Sequence, residues 1–407
     1  MERFIQRAKR LSRIRAGVLG PYLDSFVNEL CEQGYSVDVI GAKIRLAVSF
    51  GDWLESKHLA AADVSSSQIE KYLRQREQRP RYVDRPTLVR LFHILQLAGI
   101  VAIQTDPMGP VDVLINEYAC YLEKERALAQ RSIGMYSSWA RLFLLDVFGD
   151  GEIDCDSLLP LNVIDFVKRQ SKRVGQRSCK HMTTSLRSFF QFLRYRGDIN
   201  FDLASAVPAV ASWTMATIPK SLPLDQVELL LSSCRRDTAV GRRDYAIILL
   251  MARLGLRAGE VANLGLDDLD WQIGCITIRG KGGQLAQLPI PIDVGEALAD
   301  YLRNGRPKAT IRKFFLSAQA PIHAFTDNRR ISMLVGEALK RAGIDSQRKG
   351  AHQLRHSLAT GMLQRGASLS EIGEVLRHRS VQSTAIYAKV DLNSLREVAM
   401  PWPGGTK

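Results

Sequence analysis

Ala351-His-Gln-Leu-Arg355-His-Ser-Leu-Ala-Thr-Gly-Met-Leu363, a Gly366-Ala-Ser368 turn, then Ser370-Glu-Ile-Gly-Glu-Val-Leu-Arg-His378-Arg-Ser-Val-Gln-Ser-Thr-Ala-Ile-Tyr387 is the stretch on which the chain turns. On a helix, His352 and Arg355 stand three apart and His352 and His356 four apart, so all three share one face. Leu354, Leu358 and Met362 run along the side that packs inward. Ser368-Leu-Ser-Glu371 has the spacing of a capping box and announces a second helix ending near His378. Ser380 or Ser383 then caps a third helix carrying Tyr387.

The order H-x-x-R, a later His, and a Tyr nine residues after it resembles the second signature box of the tyrosine recombinases, the phage-integrase family. Upstream, Leu254-Gly-Leu-Arg257-Ala-Gly-Glu260-Val-Ala-Asn-Leu264 is similar to the family's first box. Cys275-Ile-Thr-Ile-Arg279 and Gln284-Leu-Ala-Gln-Leu-Pro-Ile290 are strand-like runs joined by Gly280-Lys281-Gly282-Gly283, where the family places a catalytic lysine in a hairpin. The resemblance implies an active-site set of Arg257, Glu260, Lys281, His352, Arg355, His378 and Tyr387. One position departs from the pattern: Arg377 stands where the family usually has a glycine before the histidine.

These residue types suit attack on a phosphodiester, whose non-bridging oxygens gain charge in the transition state. Two guanidiniums offer planar forks to those oxygens, and losing one preorganised donor of this kind costs about 3 to 4 kcal/mol of barrier. That work falls to Arg257 and Arg355. Tyr387 is the expected nucleophile; a phenol, with a pKa of about 10, needs a base or nearby positive charge to attack at neutral pH. His352 is the expected acid/base, His378 a donor to the phosphate, Lys281 the acid for the departing 5′ oxygen, and Glu260 a positioning group. His356 reads as a packed histidine that holds its helix, and His58, His93, His181 and His323 as structural or surface residues. Singly, each feature has an ordinary explanation: an R-x-x-E helix pair is a surface salt bridge worth about 0.3 to 0.5 kcal/mol. The ordered set is what points to catalysis.

Composition agrees with a polyanionic partner. The 407 residues carry a formal charge of +14 and a sequence pI near 9.6. The six cysteines include no C-x-x-C pair and no metal-ligand spacing, as expected of reduced intracellular thiols. The longest apolar run, Tyr245 to Ala252, falls far short of the ~20 residues that cross a bilayer. The basic amphipathic start, Arg7 to Arg15, has the look of a presequence, but its pattern runs on into Tyr22, Phe26 and Leu30 without a cleavage signal and is expected to remain on the protein.

Residues 1–105 read as helices only, until Asp106-Pro-Met-Gly-Pro110 breaks the pattern. Residues 111–205 read as helices again and repeat the first segment: Leu88, Leu91, Phe92, Leu95 and Gly99 match Leu186, Phe189, Phe190, Leu193 and Gly197 at one offset. This second module resembles the family's core-binding domain. Its run Lys168 to Lys180 holds Lys168, Arg169, Lys172, Arg173, Arg177 and Lys180 with no acid, and is expected to contact phosphates. Residues 206–220 read as an extended linker, and 221–407 as the catalytic domain. The expected fold is mainly α with a small antiparallel sheet in the last domain.

With the resemblance, these features lead to the expectation of a site-specific DNA recombinase or integrase that cuts and rejoins double-stranded DNA through a 3′-phosphotyrosyl bond, without ATP, metal or other cofactor. The resemblance implies four protomers on two DNA sites, companion recombinases, a bacterial cytoplasmic and nucleoid location, and service to a mobile element. Leu392, Leu395 and Val398, at helical spacing, would dock on a neighbour or cover their own domain. A type IB topoisomerase and a non-cleaving DNA-binding protein are the rival readings.

Overall fold

The computed structural model describes residues 13–76, 82–102, 108–149, 151–211, 218–280, 283–325, 327–346 and 350–390. Lys281, the Leu392–Val398 face and most of the basic start lie outside these residues. The chain is mainly α, with a three-stranded antiparallel sheet, and divides into two compact units. One holds Met1–Ala102 with Thr217–Lys407; the other holds Ile103–Ala216.

In the first unit, α1 (Leu23–Glu32), α2 (Val37–Ser56), α3 (Ser66–Gln75) and α4 (Asp84–Leu97) enclose their own core. Leu23, Phe26, Val27 and Leu30 follow the i, i+3, i+4, i+7 rhythm and are all buried, as an inward stripe requires. Ser65 caps α3 by accepting from the Gln68 N–H. The turn after α1 meets the later half of the unit: the Ile322 N–H donates to the Gln33 carbonyl at 2.8 Å.

The second unit is built from α5 (Pro110–Lys124), α6 (Gln130–Phe148), α7 (Pro160–Ser171), α8 (Gln176–Arg196) and the short α9 (Leu203–Ala206). Tyr118, Phe143, Phe166, Phe189 and Phe190 fill its core. The rings of Phe143 and Phe166 meet edge to face at 5.3 Å, the geometry aromatic quadrupoles favour. Of the positions paired in the sequence, Leu88, Leu91 and Leu95 are buried on α4, and Leu186, Phe189 and Leu193 on α8; Phe92 is only half-buried where Phe190 is fully buried. Both helices are followed by a left-handed glycine, Gly99 at φ +70° and Gly197 at φ +83°.

The later half of the first unit forms around α11 (Ala239–Leu254), which follows α10 (Leu224–Ser232). Ala246 to Ala252 are buried without a break, so this stretch of α11 is apolar all round and runs through the core. After α12 (Ala258–Asn263) come β1 (Leu269–Asp270), β2 (Cys275–Arg279) and β3 (Leu285–Pro289). β2 pairs with both neighbours, Ile276 opposite Leu269 and Leu288, and turns Ile276 and Ile278 into the core. α13 (Ile292–Asn304) and α14 (Asn328–Arg341) complete the shell, and α15 (His352–Gln364), α16 (Leu369–Val375) and α17 (Val381–Ala385) carry the decisive stretch. Ala359, Ile372, Leu376 and Tyr387 form a small separate core there.

Two ends differ from expectation. α16 stops at Val375, because the Arg377 and His378 N–H groups turn back to the carbonyls of Glu374 and Gly373, both at 2.9 Å. This is a Schellman closure. Tyr387 lies beyond the third helix, in a 3-10 turn from Ile386 to Val390. Val381, Ser383, Thr384 and Ile386 are poor helix formers, and a tighter turn takes over after five residues.

Candidate active site

Gly255 ends α11 at φ +59°, and a Cβ there would lie 2.7 Å from Leu376 Cδ2 and 3.0 Å from Leu358 Cδ2. Glycine thus serves both the turn and the approach of α15 and α16. The turn makes Arg257 the N-cap of α12. Its backbone N–H donates to Glu260 Oε2 at 2.8 Å, and its Nη1 to Oε1 at 2.7 Å. Burial alone would raise the Glu260 carboxyl, but the Arg257 N–H and guanidinium, with Arg377, hold it below the ordinary carboxylate range.

Arg355 projects from α15 and is 1% exposed. Its Nη1 donates to the Gly255 carbonyl and its Nη2 to the Leu376 carbonyl, joining the ends of α11 and α16. Both nitrogens retain a second N–H, so the fork is not exhausted. Burial, then Arg257 and Arg377, bring this guanidinium down to about 10, which leaves it charged at neutral pH.

Tyr387 is 1% exposed, and its hydroxyl lies 2.9 Å from His356 Nδ1. Burial pushes the phenol above its usual value while Arg355 and Arg257 oppose the rise, so it is protonated at neutral pH. The His352 and His356 rings meet at 4.5 Å on the same face of α15. The His378 ring lies parallel to the Tyr387 ring at 6.4 Å, and its Nδ1 is 2.8 Å from Thr384 Oγ1. Burial, then the charges of Arg355 and Arg257, push His378 down to about 4, so it is neutral at pH 7. In the tautomer where Thr384 donates to Nδ1, the proton sits on Nε2 and is available to a phosphate oxygen.

Arg257, Glu260, His352, Arg355, His378 and Tyr387 therefore gather in one place from α11's end, α12, α15 and the segment after α16. Lys281 falls outside the described residues; of its neighbours, the Gly280 N–H donates to the Gln284 carbonyl at 2.7 Å, joining the ends of β2 and β3. Three residues enter that the sequence reading had not assigned to the chemistry. His356, expected to be packing, bonds the Tyr387 hydroxyl. Thr384 fixes His378. Arg377 adopts φ +54° and gives its Nη2 to Glu260 Oε2 at 3.0 Å. A left-handed arginine costs about 1 to 2 kcal/mol that glycine avoids. The spacing of His356 from His352 was a visible signal; the other two depend on how the chain turns after α16.

In the second unit, Lys168, Arg169, Lys172, Arg173, Arg177 and Lys180 are all exposed, along the end of α7 and the start of α8. Arg169 is ion-paired with Asp146.

Residues 220–393 match the description "Phage integrase family", and residues 115–197 "Phage integrase, N-terminal SAM-like domain". A relative in Sinorhizobium fredii (strain NBRC 101917 / NGR234), "Putative integrase/recombinase y4rA", is 45% identical over 407 residues, covering 99% of both chains. "Tyrosine recombinase XerD" of Listeria monocytogenes serotype 4b (strain F2365) is 33% identical over 294 residues, covering 70% of this chain and 96% of its own. The fold is similar to that of the XerH site-specific recombinase in its post-cleavage complex with palindromic difH substrate, with a TM-score of 0.53 at 17% identity over 98% of both chains.

Proposed function

We propose that this chain, which belongs to the phage integrase family of tyrosine recombinases, breaks and rejoins double-stranded DNA through a 3′-phosphotyrosyl bond at Tyr387. The observation that carries the reading is the 2.9 Å contact between the Tyr387 hydroxyl and His356 Nδ1 beside two arginines. Since burial keeps the phenol protonated, positive charge alone does not activate it, and a base in contact is required. His356 takes the phenol proton as Oη bonds to phosphorus. Arg257 and Arg355 hold the non-bridging oxygens, and neutral His378 donates through Nε2. The bond from phosphorus to the 5′ oxygen breaks, and Lys281 supplies that oxygen's proton. His352, one turn before His356, exchanges protons at the exposed end of the same face.

Religation by another 5′ hydroxyl reverses these steps and recovers the bond energy from the phosphotyrosine, so no ATP or metal enters the scheme. The +14 charge and the exposed basic run from Lys168 to Lys180 support DNA as the partner. The family resemblance supports four protomers on two sites, companion recombinases, a mobile-element role and a cytoplasmic location.

Tyr387→Phe removes the nucleophilic oxygen and keeps the ring. DNA binding is expected to persist while the covalent adduct disappears from denaturing gels, and chelator should leave wild-type cleavage intact. An adduct from Tyr387→Phe would exclude Tyr387. Relaxation of supercoils by the wild type without a defined site would favour the topoisomerase reading, and no adduct from the wild type the non-cleaving one.

A further inference from the structure

We propose that Arg377 is a positioning residue for strand cleavage, setting the direction in which Arg257 presents its guanidinium to the scissile phosphate. This rests on the phosphotyrosyl reading above. Arg377 reaches Arg257 by two routes. Its Nη2 shares Glu260 Oε2, at 3.0 Å, with the Arg257 backbone N–H, while Oε1 is held by Arg257 Nη1 at 2.7 Å. Its own carbonyl accepts from Arg257 Nη2 at 3.5 Å. One edge of the Arg257 fork is thus tied to the carboxylate and the other to the Arg377 backbone, and the rest is left for a ligand.

The left-handed φ of +54° makes both routes possible at once. It closes α16, aims the 377 carbonyl at Arg257, and lets the side chain fold back to Glu260 with only 13% of its surface exposed. A glycine would satisfy the turn at lower cost, yet this chain has an arginine in a conformation that disfavours it. What the guanidinium adds is a second cation on Glu260. Without it, the carboxylate would be neutralised by Arg257 alone, drawing that fork toward α12 and away from the phosphate. Arg377 gives Nη2 to Glu260 and Nη1 to the Val375 carbonyl at 3.3 Å, so the guanidinium is turned inward onto the carboxylate that Arg257 shares, and acts through Arg257.

Full-length Arg377→Gly, Arg377→Lys, Glu260→Gln and the Arg377→Gly/Glu260→Gln double variant test this on a nicked DNA substrate that traps the covalent adduct. Arg377→Gly, which trades left-handed strain for a lost ion pair, should remain folded with a single cooperative melt and bind DNA with unchanged Kd. Its cleavage rate at saturating DNA should nonetheless fall on the order of 10- to 100-fold, the scale of a misplaced catalytic group. Arg377→Lys should recover part of the rate, and the double variant should be no slower than Glu260→Gln. Wild-type cleavage by Arg377→Gly, a defect confined to Kd, or additive defects in the double variant would overturn the assignment while leaving the phosphotyrosyl reading in place. Absence of an adduct from the wild type would sink both.

Discussion

Acidification should destabilise the wild-type chain more than a His378→Gln variant. In the fold, His378 is held at about 4, first by burial and then by Arg355 and Arg257, whereas an unfolded histidine titrates near 6.5. Between those values the unfolded state binds the extra proton, so stability is fully present above about 6.5 and is lost as pH falls toward 4. Each pH unit across that window is worth about 1.4 kcal/mol, a ceiling of roughly 3.4 kcal/mol. The ring is only half-buried, and solvent screening reduces the figure to about 1 to 2 kcal/mol. In a domain of about 150 to 250 residues, 1 kcal/mol moves the midpoint by about 2 to 4 °C. Calorimetric melts of both proteins from pH 7.5 to 4.5 would measure it. The other carboxylates and histidines cancel in the difference between variant and wild type, and the wild type should lose those few degrees more than the variant. Equal pH slopes, or a wild type that gains on acidification, would show that the folded ring accepts a proton readily, and the neutral Nε2–H donor would have to be abandoned.

His356→Gln should slow cleavage by about 10²- to 10⁴-fold, the usual worth of a positioned base; a larger defect in His352→Gln with His356→Gln near wild type would return the base role to His352. Lys281→Ala should cleave slowly on ordinary DNA and recover on a substrate whose departing 5′ oxygen is sulfur, and equal defects on both would reassign the lysine to binding. Replacing Lys168, Lys172, Arg173, Arg177 and Lys180 by glutamine should flatten the salt dependence of DNA binding by about 0.9 in logarithmic slope per lost phosphate contact. Arg169, already paired with Asp146, should contribute less when replaced alone. An unchanged slope in the five-fold variant would make the run a solvated surface.

The all-helical modules and the hairpin were legible because their signals are local. The apolar spacing of Leu23, Phe26 and Leu30, and the Ser368–Glu371 box that caps α16 in the fold, need no distant partner. β1 was missed because two residues carry no period, and its pairing is set by Ile276 across the turn. Arg257, Glu260, His352, Arg355, His378 and Tyr387 could be singled out because the resemblance supplied an order. What the order could not supply was contact. His356 and Tyr387 are 31 residues apart and meet only because the 3-10 turn at Ile386–Val390 folds the phenol against α15. Arg377 looked like a departure from a pattern; its partner, Glu260, lies 117 residues upstream.

The two carbonyls that accept from Arg355 bear on how such a protein can fall silent over generations. Both are helix-end acceptors with few alternatives, and stripping a buried group of its partner costs about 1 to 3 kcal/mol for each. A lineage that loses Arg355 therefore loses the junction of α11 and α16 along with the phosphate contact proposed for it, and the chain is exposed to proteolysis. One that loses only the Tyr387 oxygen keeps the ring that fills the small core around Ile372 and Leu376. Inert copies that still fold, and still occupy DNA in competition with active ones, should arise by the second route and seldom by the first.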